Sequence, residues 1–120
     1  MTGANQPAGN ELSAESWHRV AGMDEISDGA VRTIRVGARV LALCRVDGRY
    51  GALGNACPHM GGPLGEGMIE GGRLVCPWHG REYDPLTGMC EGFEERAAVY
   101  PVEVRADGVY VRLEPAGEKG

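Results

Sequence analysis

The 120-residue sequence predicts an all-β domain built from antiparallel strands. Its 20 glycines and seven prolines are typical of a turn-rich β domain rather than a helical bundle. Short runs of β-branched or alternating apolar residues recur along the chain, and no apolar pattern of helical spacing is long enough for a stable helix. A chain of this length amounts to one domain, which is too small for an enzyme with separate cofactor and substrate lobes.

The first strands are expected in the first half of the chain. Residues 31–36 are rich in β-branched side chains, and residues 39–46 follow as a second apolar run. The dipeptide Asp47-Gly48 favours a two-residue hairpin turn, because both residue types tolerate positive φ. Residues 50–53 are therefore expected to return antiparallel to the strand before the turn.

The last strands are expected near the C-terminal end. Val102 and Val104 alternate with charged residues, which is the pattern of a half-buried strand. Asp107-Gly108 then turns the chain, and apolar residues alternate again over residues 109–113. These segments predict a second antiparallel hairpin.

The domain is expected to span residues 16–114, between an N-terminal tail of residues 1–15 and a C-terminal tail of residues 115–120. Both tails are small and polar, with few groups to bury. The longest apolar run, residues 40–44, is too short to cross a bilayer, and residues 1–15 lack the basic and apolar parts of a signal peptide. The sequence therefore predicts a cytoplasmic protein without a membrane anchor, whose cysteines are metal ligands or buried thiols rather than disulfides.

Negative charge is concentrated in one segment. The protein has 17 acidic and 12 basic residues, and its net charge of −5 argues against nucleic acid as a partner. Residues 55–95 contain seven of the acids and two of the bases, so they hold the whole excess. Residues 55–92 also lack strong periodicity, and a segment of that length inside a compact domain is usually functional.

Four metal-binding side chains lie in this segment. One residue separates Cys57 from His59, and two residues separate Cys76 from His79. Thiolate sulfur selects zinc, copper(I) or iron–sulfur clusters, whereas imidazole suits zinc, copper and iron. Structural zinc sites usually group ligands of one kind, but each loop here pairs one cysteine with one histidine. The pattern favours a [2Fe–2S] cluster with two cysteines on one iron and two histidines on the other, and a structural zinc module is an alternative.

The two loops resemble those of the Rieske iron–sulfur family. The first loop reads Cys57-Pro-His59-Met-Gly-Gly-Pro-Leu, and the second reads Cys76-Pro-Trp-His79-Gly-Arg-Glu-Tyr-Asp-Pro-Leu-Thr-Gly. The resemblance implies an antiparallel β-sandwich with an inserted small cluster-binding subdomain at about residues 55–92. It also implies one Rieske-type [2Fe–2S] cluster, with Cys57 and Cys76 on the inner iron. His59 and His79 would hold the outer iron near the surface.

Neighbouring positions are expected to tune the cluster. High-potential members of the family carry a disulfide between the loops, but Gly62 and Trp78 stand at those cysteine positions. Arg81 stands where those members have a serine that donates to a sulfide, whereas Tyr83 matches a tyrosine whose hydroxyl can reach a cysteine ligand. Gly80 would let backbone amides approach the sulfides. Because fewer donors stabilise the reduced cluster less, we expect a potential toward the low end of roughly −150 to +300 mV.

An apolar rim is expected beside the ligands, formed by Met60, Pro63 and Leu64. Trp78 lies between two ligands in the sequence, where it could pack within its loop or else shield the cluster and contact a partner. Both interpretations of Trp78 stay open on the sequence alone.

The remaining cysteines and histidine have smaller expected roles. Cys44 ends the most apolar strand and is expected to be a buried, inert thiol, whereas Cys90 lies in a loop without an assigned role. His18 is the only histidine outside the two loops and is expected at the surface. A mononuclear iron oxygenase centre needs two histidines and a carboxylate, so the chain is not predicted to be an oxygenase catalytic subunit.

The resemblance implies a small electron carrier, a Rieske-type ferredoxin that moves one electron from a flavoprotein reductase to a terminal oxygenase. The chain itself would not be an enzyme, and its acidic segment would steer it onto basic partner surfaces. The alternative is an auxiliary Rieske subunit of a larger reductase complex, similar to the small subunit of assimilatory nitrite reductase. The loop from Asp84 to Gly88 suits that group about as well.

Overall fold

The computed structural model describes residues 17–113, which form the all-β domain that the sequence predicts. The regular structure of this part of the chain is β-strand apart from one 3₁₀ turn at Leu64–Glu66, so no helix in it could span a membrane. The ten strands are β1 Trp17–Ala21, β2 Ala30–Val36, β3 Arg39–Val46, β4 Arg49–Gly54, β5 Met68–Glu70, β6 Arg73–Val75, β7 Glu82–Tyr83, β8 Val99–Tyr100, β9 Val102–Arg105 and β10 Gly108–Arg112. The tails predicted at residues 1–15 and 115–120 lie outside the described residues.

Two antiparallel sheets form the body of the domain. One has the strand order β2-β3-β4-β8 and the other the order β1-β10-β9. Their apolar side chains meet in a shared core, which includes Leu41 and Leu43 of β3 and Val109 and Val111 of β10. These four side chains are completely buried. The predicted β-sandwich is therefore confirmed, with apolar burial as its main source of stability.

Strand β3 separates two cores because it is buried on both faces. Side chains alternate along a strand, so Leu41 and Leu43 face the sandwich core while Ala42 and Cys44 face the opposite side. The second core lies under the two cysteine–histidine loops and includes Leu74 of β6. Burial on both faces explains why the sequence of this strand is continuously apolar rather than alternating.

The predicted hairpin between β3 and β4 is confirmed. Val46 pairs with Arg49, and Asp47 and Gly48 between them have φ of +53° and +78°. Both values lie in the left-handed region, as a type I′ turn requires. This tight turn fixes the register that brings the end of β4 to the start of the first cysteine–histidine loop.

A third, smaller sheet is inserted between β4 and β8. Strands β5, β6 and β7 pair in that order, and all pairs are antiparallel. Gly71 and Gly72 join β5 to β6 at φ of +59° and +80°. These strands were not predicted from the sequence, because runs of two or three residues are too short to show an alternation.

Strand β4 holds this insertion close to the sandwich. Gly51 lies directly under the loop that follows β7, where an added Cβ atom would overlap the carbonyl oxygen of Pro85. The side chain of Leu86 lies against the same glycine. The absence of a side chain at Gly51 therefore allows the insertion to pack onto the body of the domain.

Candidate metal centre

The two cysteine–histidine loops have the same backbone hydrogen bonds. In the first loop, the Cys57 amide donates to the Gly62 carbonyl at 2.8 Å, and the Cys57 carbonyl accepts from the Gly61 amide at 2.6 Å. The loop at residues 76–81 repeats these two bonds at 2.8 and 3.1 Å. Gly61 has φ of +83° and Gly80, at the matching position, has φ of +75°, a region that favours glycine. Each loop is therefore a tight turn closed around its cysteine.

The two loop cysteines lie in the deeper part of the site. Cys57 and Cys76 are each 2% exposed, and their thiols are close enough to influence each other's pKa. Burial raises the pKa of Cys76. Burial also acts to raise the pKa of Cys57, but hydrogen bonds from Tyr83 and the His59 amide outweigh it and hold that pKa below its ordinary value. Because the thiolate is the form that binds metal, this environment favours ligation by Cys57.

Tyr83 contacts the sulfur of Cys57. Strand β7 places this tyrosine opposite Leu74 of β6, where its side chain is completely buried. Its hydroxyl oxygen lies 3.0 Å from the Cys57 sulfur. Burial, reinforced by the contact with Cys57, raises the pKa of Tyr83, so the hydroxyl stays protonated and can donate a hydrogen bond to a Cys57 thiolate.

The two loop histidines lie nearer the surface. Their ring centroids are 5.0 Å apart, and the ring planes are inclined by 75°. His79 is exposed and His59 is half-buried. The Nδ1 atom of His59 is buried without a hydrogen-bond partner, which is costly for a polar atom that nothing else binds. A bound metal ion would satisfy that atom.

The donor atoms form two pairs rather than one tetrahedral group. The sulfur pair is buried and the imidazole pair lies closer to solvent. Within residues 17–113, no three His, Cys, Asp or Glu side chains converge as the ligands of a single ion do. A [2Fe–2S] cluster of mixed ligation needs two protein donors on each iron, so the residues present fit this group better than a structural zinc ion.

Trp78 lies against Gly62 of the other loop. A Cβ atom at Gly62 would come within 2.9 Å of the Trp78 indole and within 2.9 Å of the Cys76 sulfur. The two positions at which high-potential relatives form a disulfide are thus adjacent here, but neither carries sulfur. Trp78 is also 55% exposed, so the same side chain packs against the first loop and presents apolar surface to solvent.

The expected apolar rim is only partly present. Met60 is 60% exposed and Pro63 is half-buried. The prediction was wrong for Leu64, which is completely buried. Leu64 begins the 3₁₀ turn, and this turn directs its side chain into the second core.

Arg81 connects the second loop to the segment at residues 89–96. Its guanidinium binds the Glu95 carboxylate at 2.7 Å and lies 3.5 Å from the centroid of the Phe93 ring. The contacts of Arg81 with Glu95 and Phe93 were not predicted from the sequence, where only the missing hydroxyl of Arg81 was considered. The one sequence signal for this ion pair was the position of Arg81 within a strongly acidic segment, where a carboxylate is usually close enough to pair with an arginine.

The other cysteines and histidine lie outside the donor set. Cys44 is completely buried, which raises its pKa to about 12, so the predicted burial is confirmed. Cys90 is 4% exposed, forms a backbone bridge with Tyr83 and packs in the same core as Cys57. His18 lies in β1 and is half-buried, whereas a surface position was expected.

The structure combines a β-sandwich with two matching loops that carry buried cysteines and outer histidines. This combination is typical of iron–sulfur proteins whose cluster is held by both sulfur and nitrogen ligands. The chain belongs to the Rieske family, since residues 16–104 match the model of the Rieske [2Fe-2S] domain. The family predicted from the two loops is therefore confirmed. The predicted cofactor, a Rieske [2Fe–2S] cluster, is confirmed with it.

Two sequence relatives differ in how much of their length they share with the chain. Ferredoxin CarAc from Metapseudomonas resinovorans is 35% identical over 106 residues, which cover 86% of this chain and 95% of the relative. Human apoptosis-inducing factor 3 is 34% identical over 95 residues, which cover 78% of this chain. The chain spans only 16% of the length of that human protein.

A solved structure shares the fold over almost its whole chain. It comes from the complex of reduced oxygenase and oxidized ferredoxin in carbazole 1,9a-dioxygenase, and it superposes with a TM-score of 0.78 at 33% identity. The match covers 87% of this chain and 99% of that chain. Both matches that run along nearly the whole length of the other chain carry the word ferredoxin in their descriptions, in agreement with the prediction of an electron-transfer protein.

Proposed function

We propose that the chain is a Rieske-type ferredoxin that accepts one electron at a time from a flavoprotein reductase and delivers it to a terminal oxygenase. The observation that carries this proposal is the match over 95% of ferredoxin CarAc and over 99% of a chain from the carbazole 1,9a-dioxygenase complex of oxygenase and ferredoxin. A [2Fe–2S] cluster supplies a centre that gains and loses a single electron. The chain's own residues supply the ligands, the shielding and the partner surface.

The proposed ligands are Cys57 and Cys76 for the inner iron and His59 and His79 for the outer iron. Three features support this assignment: the buried sulfur pair, the adjacent imidazole pair and the unpartnered Nδ1 atom of His59. Tyr83, whose hydroxyl contacts the Cys57 sulfur, would stabilise negative charge at that ligand. Its effect would be greater in the reduced state, which carries more negative charge.

The surface around His79 is the proposed site of electron exchange. His79 is exposed, and Met60 and Trp78 present apolar surface in the same two loops. Electron transfer needs close approach rather than a bound substrate, so an exposed imidazole beside apolar contact residues suits a transient partner. The net charge of −5 in residues 55–95 would steer this end toward basic partner surfaces.

The proposal is tested by purifying the full chain with its cluster and measuring iron, acid-labile sulfide, absorbance and the EPR spectrum of the reduced protein. We expect a mixed-ligand [2Fe–2S] spectrum, reduction by a ferredoxin reductase, and a rate of reduction that falls as salt is added. A colourless protein that contains zinc would contradict the proposal. Reduction that is indifferent to salt would contradict its electrostatic part.

The alternative function is an auxiliary Rieske module of a larger reductase, similar to the small subunit of nitrite reductase. One observation favours it: the nitrite reductase [NAD(P)H] of Emericella nidulans is 34% identical over 97% of this chain, which spans only 12% of that much longer protein. Obligate co-purification with a catalytic subunit would support this alternative. A free protein that exchanges electrons with a separate reductase would support the carrier. The cytoplasmic location stays a prediction, which cell fractionation would test.

A further inference from the structure

A groove lies beside the cysteine–histidine loops, and its walls are largely apolar. Met89 and Phe93 line it and are 57% and 54% exposed. Its charged lining residues are Arg73, Asp84, Glu91 and Glu94. None of the four proposed ligands lines the groove. The groove nevertheless adjoins the second loop, because the ring of Phe93 packs against the guanidinium of Arg81 in that loop.

The backbone holds these exposed side chains in fixed positions. Met89 forms a backbone bridge with Arg96, and its carbonyl accepts the Asp84 amide at 2.9 Å. The Phe93 amide donates to the Cys90 carbonyl at 3.2 Å. An apolar side chain on a mobile loop would lose entropy when it bound a partner, whereas one on a backbone pinned in this way loses less. The groove is therefore preorganised for a contact.

The charge of the groove defines what it can bind. Asp84, Glu91 and Glu94 contribute three carboxylates, against the single guanidinium of Arg73. Arg73 already forms an ion pair with Glu91, which leaves the other two carboxylates without an arginine or lysine partner among the described residues. A ligand that matches this surface has an apolar side chain flanked by positive charge.

We propose that this groove docks an apolar side chain flanked by arginine or lysine on a protein redox partner. The inference rests on the proposed function, because it names the surface chemistry of the partner that an electron carrier would meet. The exposed aromatic and methionine side chains act as apolar anchors, and the carboxylates set the orientation. The groove would give the partner a second contact in addition to the one at His79. Two separate contacts would fix the orientation of the partner relative to the cluster.

The test uses the full-length protein with its cluster and a defined probe, a short acetylated peptide with two leucines flanked by arginines. NMR shifts of methionine methyl and backbone groups locate the bound peptide, and a titration gives its affinity. We expect shifts at Met89 and at residues 91–94. A peptide in which glutamates replace the arginines is expected not to bind there.

Matched variants separate the groove from its surroundings. Met89→Gln removes an anchor inside the groove, whereas Met68→Gln removes a methionine of similar exposure, 55% against 57%, in β5 outside it. Glu94→Lys reverses a charge in the groove, whereas Glu70→Lys makes the same change in β5 outside it. Each groove variant is expected to weaken binding about fivefold, and each control is expected to leave it unchanged.

Three results would overturn the inference: no binding of the arginine peptide, shifts centred on Met60 and Trp78, or equal effects of groove and control variants. The absorbance and EPR spectra of the same samples report the cluster independently. Loss of the [2Fe–2S] spectrum in the unaltered protein would contradict the proposed function. A normal spectrum without groove binding would contradict only the docking surface.

Discussion

The hydroxyl of Tyr83 lies 3.0 Å from the sulfur of Cys57, and both side chains are buried. Tyr83 comes from the small inserted sheet, whereas Cys57 begins the first cysteine–histidine loop. Hydrogen bonds to charged groups are stronger where water is excluded. A donor at this sulfur therefore acts on the charge of the site as well as on the packing of the two elements.

Tyr83→Phe is expected to lower the reduction potential of the cluster. The substitution keeps the ring but removes the proton that stabilises the more negative, reduced state. If the hydrogen bond stabilises the reduced cluster by about 1 kcal/mol more than the oxidised cluster, its loss lowers the potential by roughly 40 mV for one electron. Redox titration measures the shift. Tyr100→Phe is the control, because that hydroxyl contacts Arg39 and none of the four proposed ligands, and an equal shift there would contradict the explanation.

The wild-type potential is expected near the low end of roughly −150 to +300 mV. Gly62 and Trp78 form no disulfide, and Arg81 has no hydroxyl to donate to a sulfide. Each missing feature would otherwise stabilise the reduced cluster. A redox titration of the unaltered protein checks this expectation, and a value near the top of the range would contradict it.

Loss of one proposed ligand is expected to abolish the cluster. Cys57→Ala removes a thiolate and His79→Ala removes an imidazole, and an iron left with an open position binds weakly or not at all. Iron and sulfide per chain should fall from two of each toward zero, together with the visible absorbance. His18→Ala, which alters a histidine in β1, should retain full iron. Full iron in the Cys57→Ala or His79→Ala protein would disprove the ligand assignment.

Gly51→Ala is expected to destabilise the domain. The added methyl group would overlap the backbone carbonyl of Pro85. This overlap can be relieved only if the inserted subdomain moves away from β4. Overpacking of this kind costs ~1–3 kcal/mol, and each kcal/mol lowers the Tm of a domain of this size by roughly 4–8 °C. Gly22→Ala is the control, since its nearest neighbour, an Arg19 side-chain atom, is 3.4 Å away. Thermal scans of the two variants under the same conditions should differ clearly.

Stability is expected to fall in alkaline solution because of Cys44. Burial raises the pKa of this thiol from 9.0 to about 12, so above pH 9 the unfolded chain loses a proton that the folded chain keeps. The unfolded state then binds fewer protons, and the free energy of unfolding decreases by at most about 1.4 kcal/mol per pH unit until the folded thiol also ionises.

The variant Cys44→Ala isolates this contribution. Denaturant unfolding of both proteins between pH 8 and pH 11 gives the difference in slope, because other groups titrate equally in each. The variant is expected to lose less stability with pH than the wild type. Parallel curves for the two proteins would show that Cys44 contributes nothing to the pH dependence.

Local sequence patterns predicted most of the sandwich. Strands β2, β3 and β4 and the terminal hairpin follow from apolar alternation and from the dipeptides Asp47-Gly48 and Asp107-Gly108, whose turn preference depends on neighbouring residues only. The spacing of cysteines and histidines similarly led to the four proposed ligands. The small sheet β5-β6-β7 was not predicted, because such short strands are stabilised by their partners rather than by their own pattern.

The sequence by itself determined most strands of the sandwich, two of its hairpin turns and the four candidate ligands, since each is a property of residues close together in the chain. Only the tertiary structure decided that Leu64 is buried rather than part of a rim, and that Arg81 meets Phe93 and Glu95. These contacts join segments that approach one another only after β4 and the inserted sheet have packed together. Which surfaces meet depends on the free energy of the whole packed chain, and a short stretch of sequence does not contain that information.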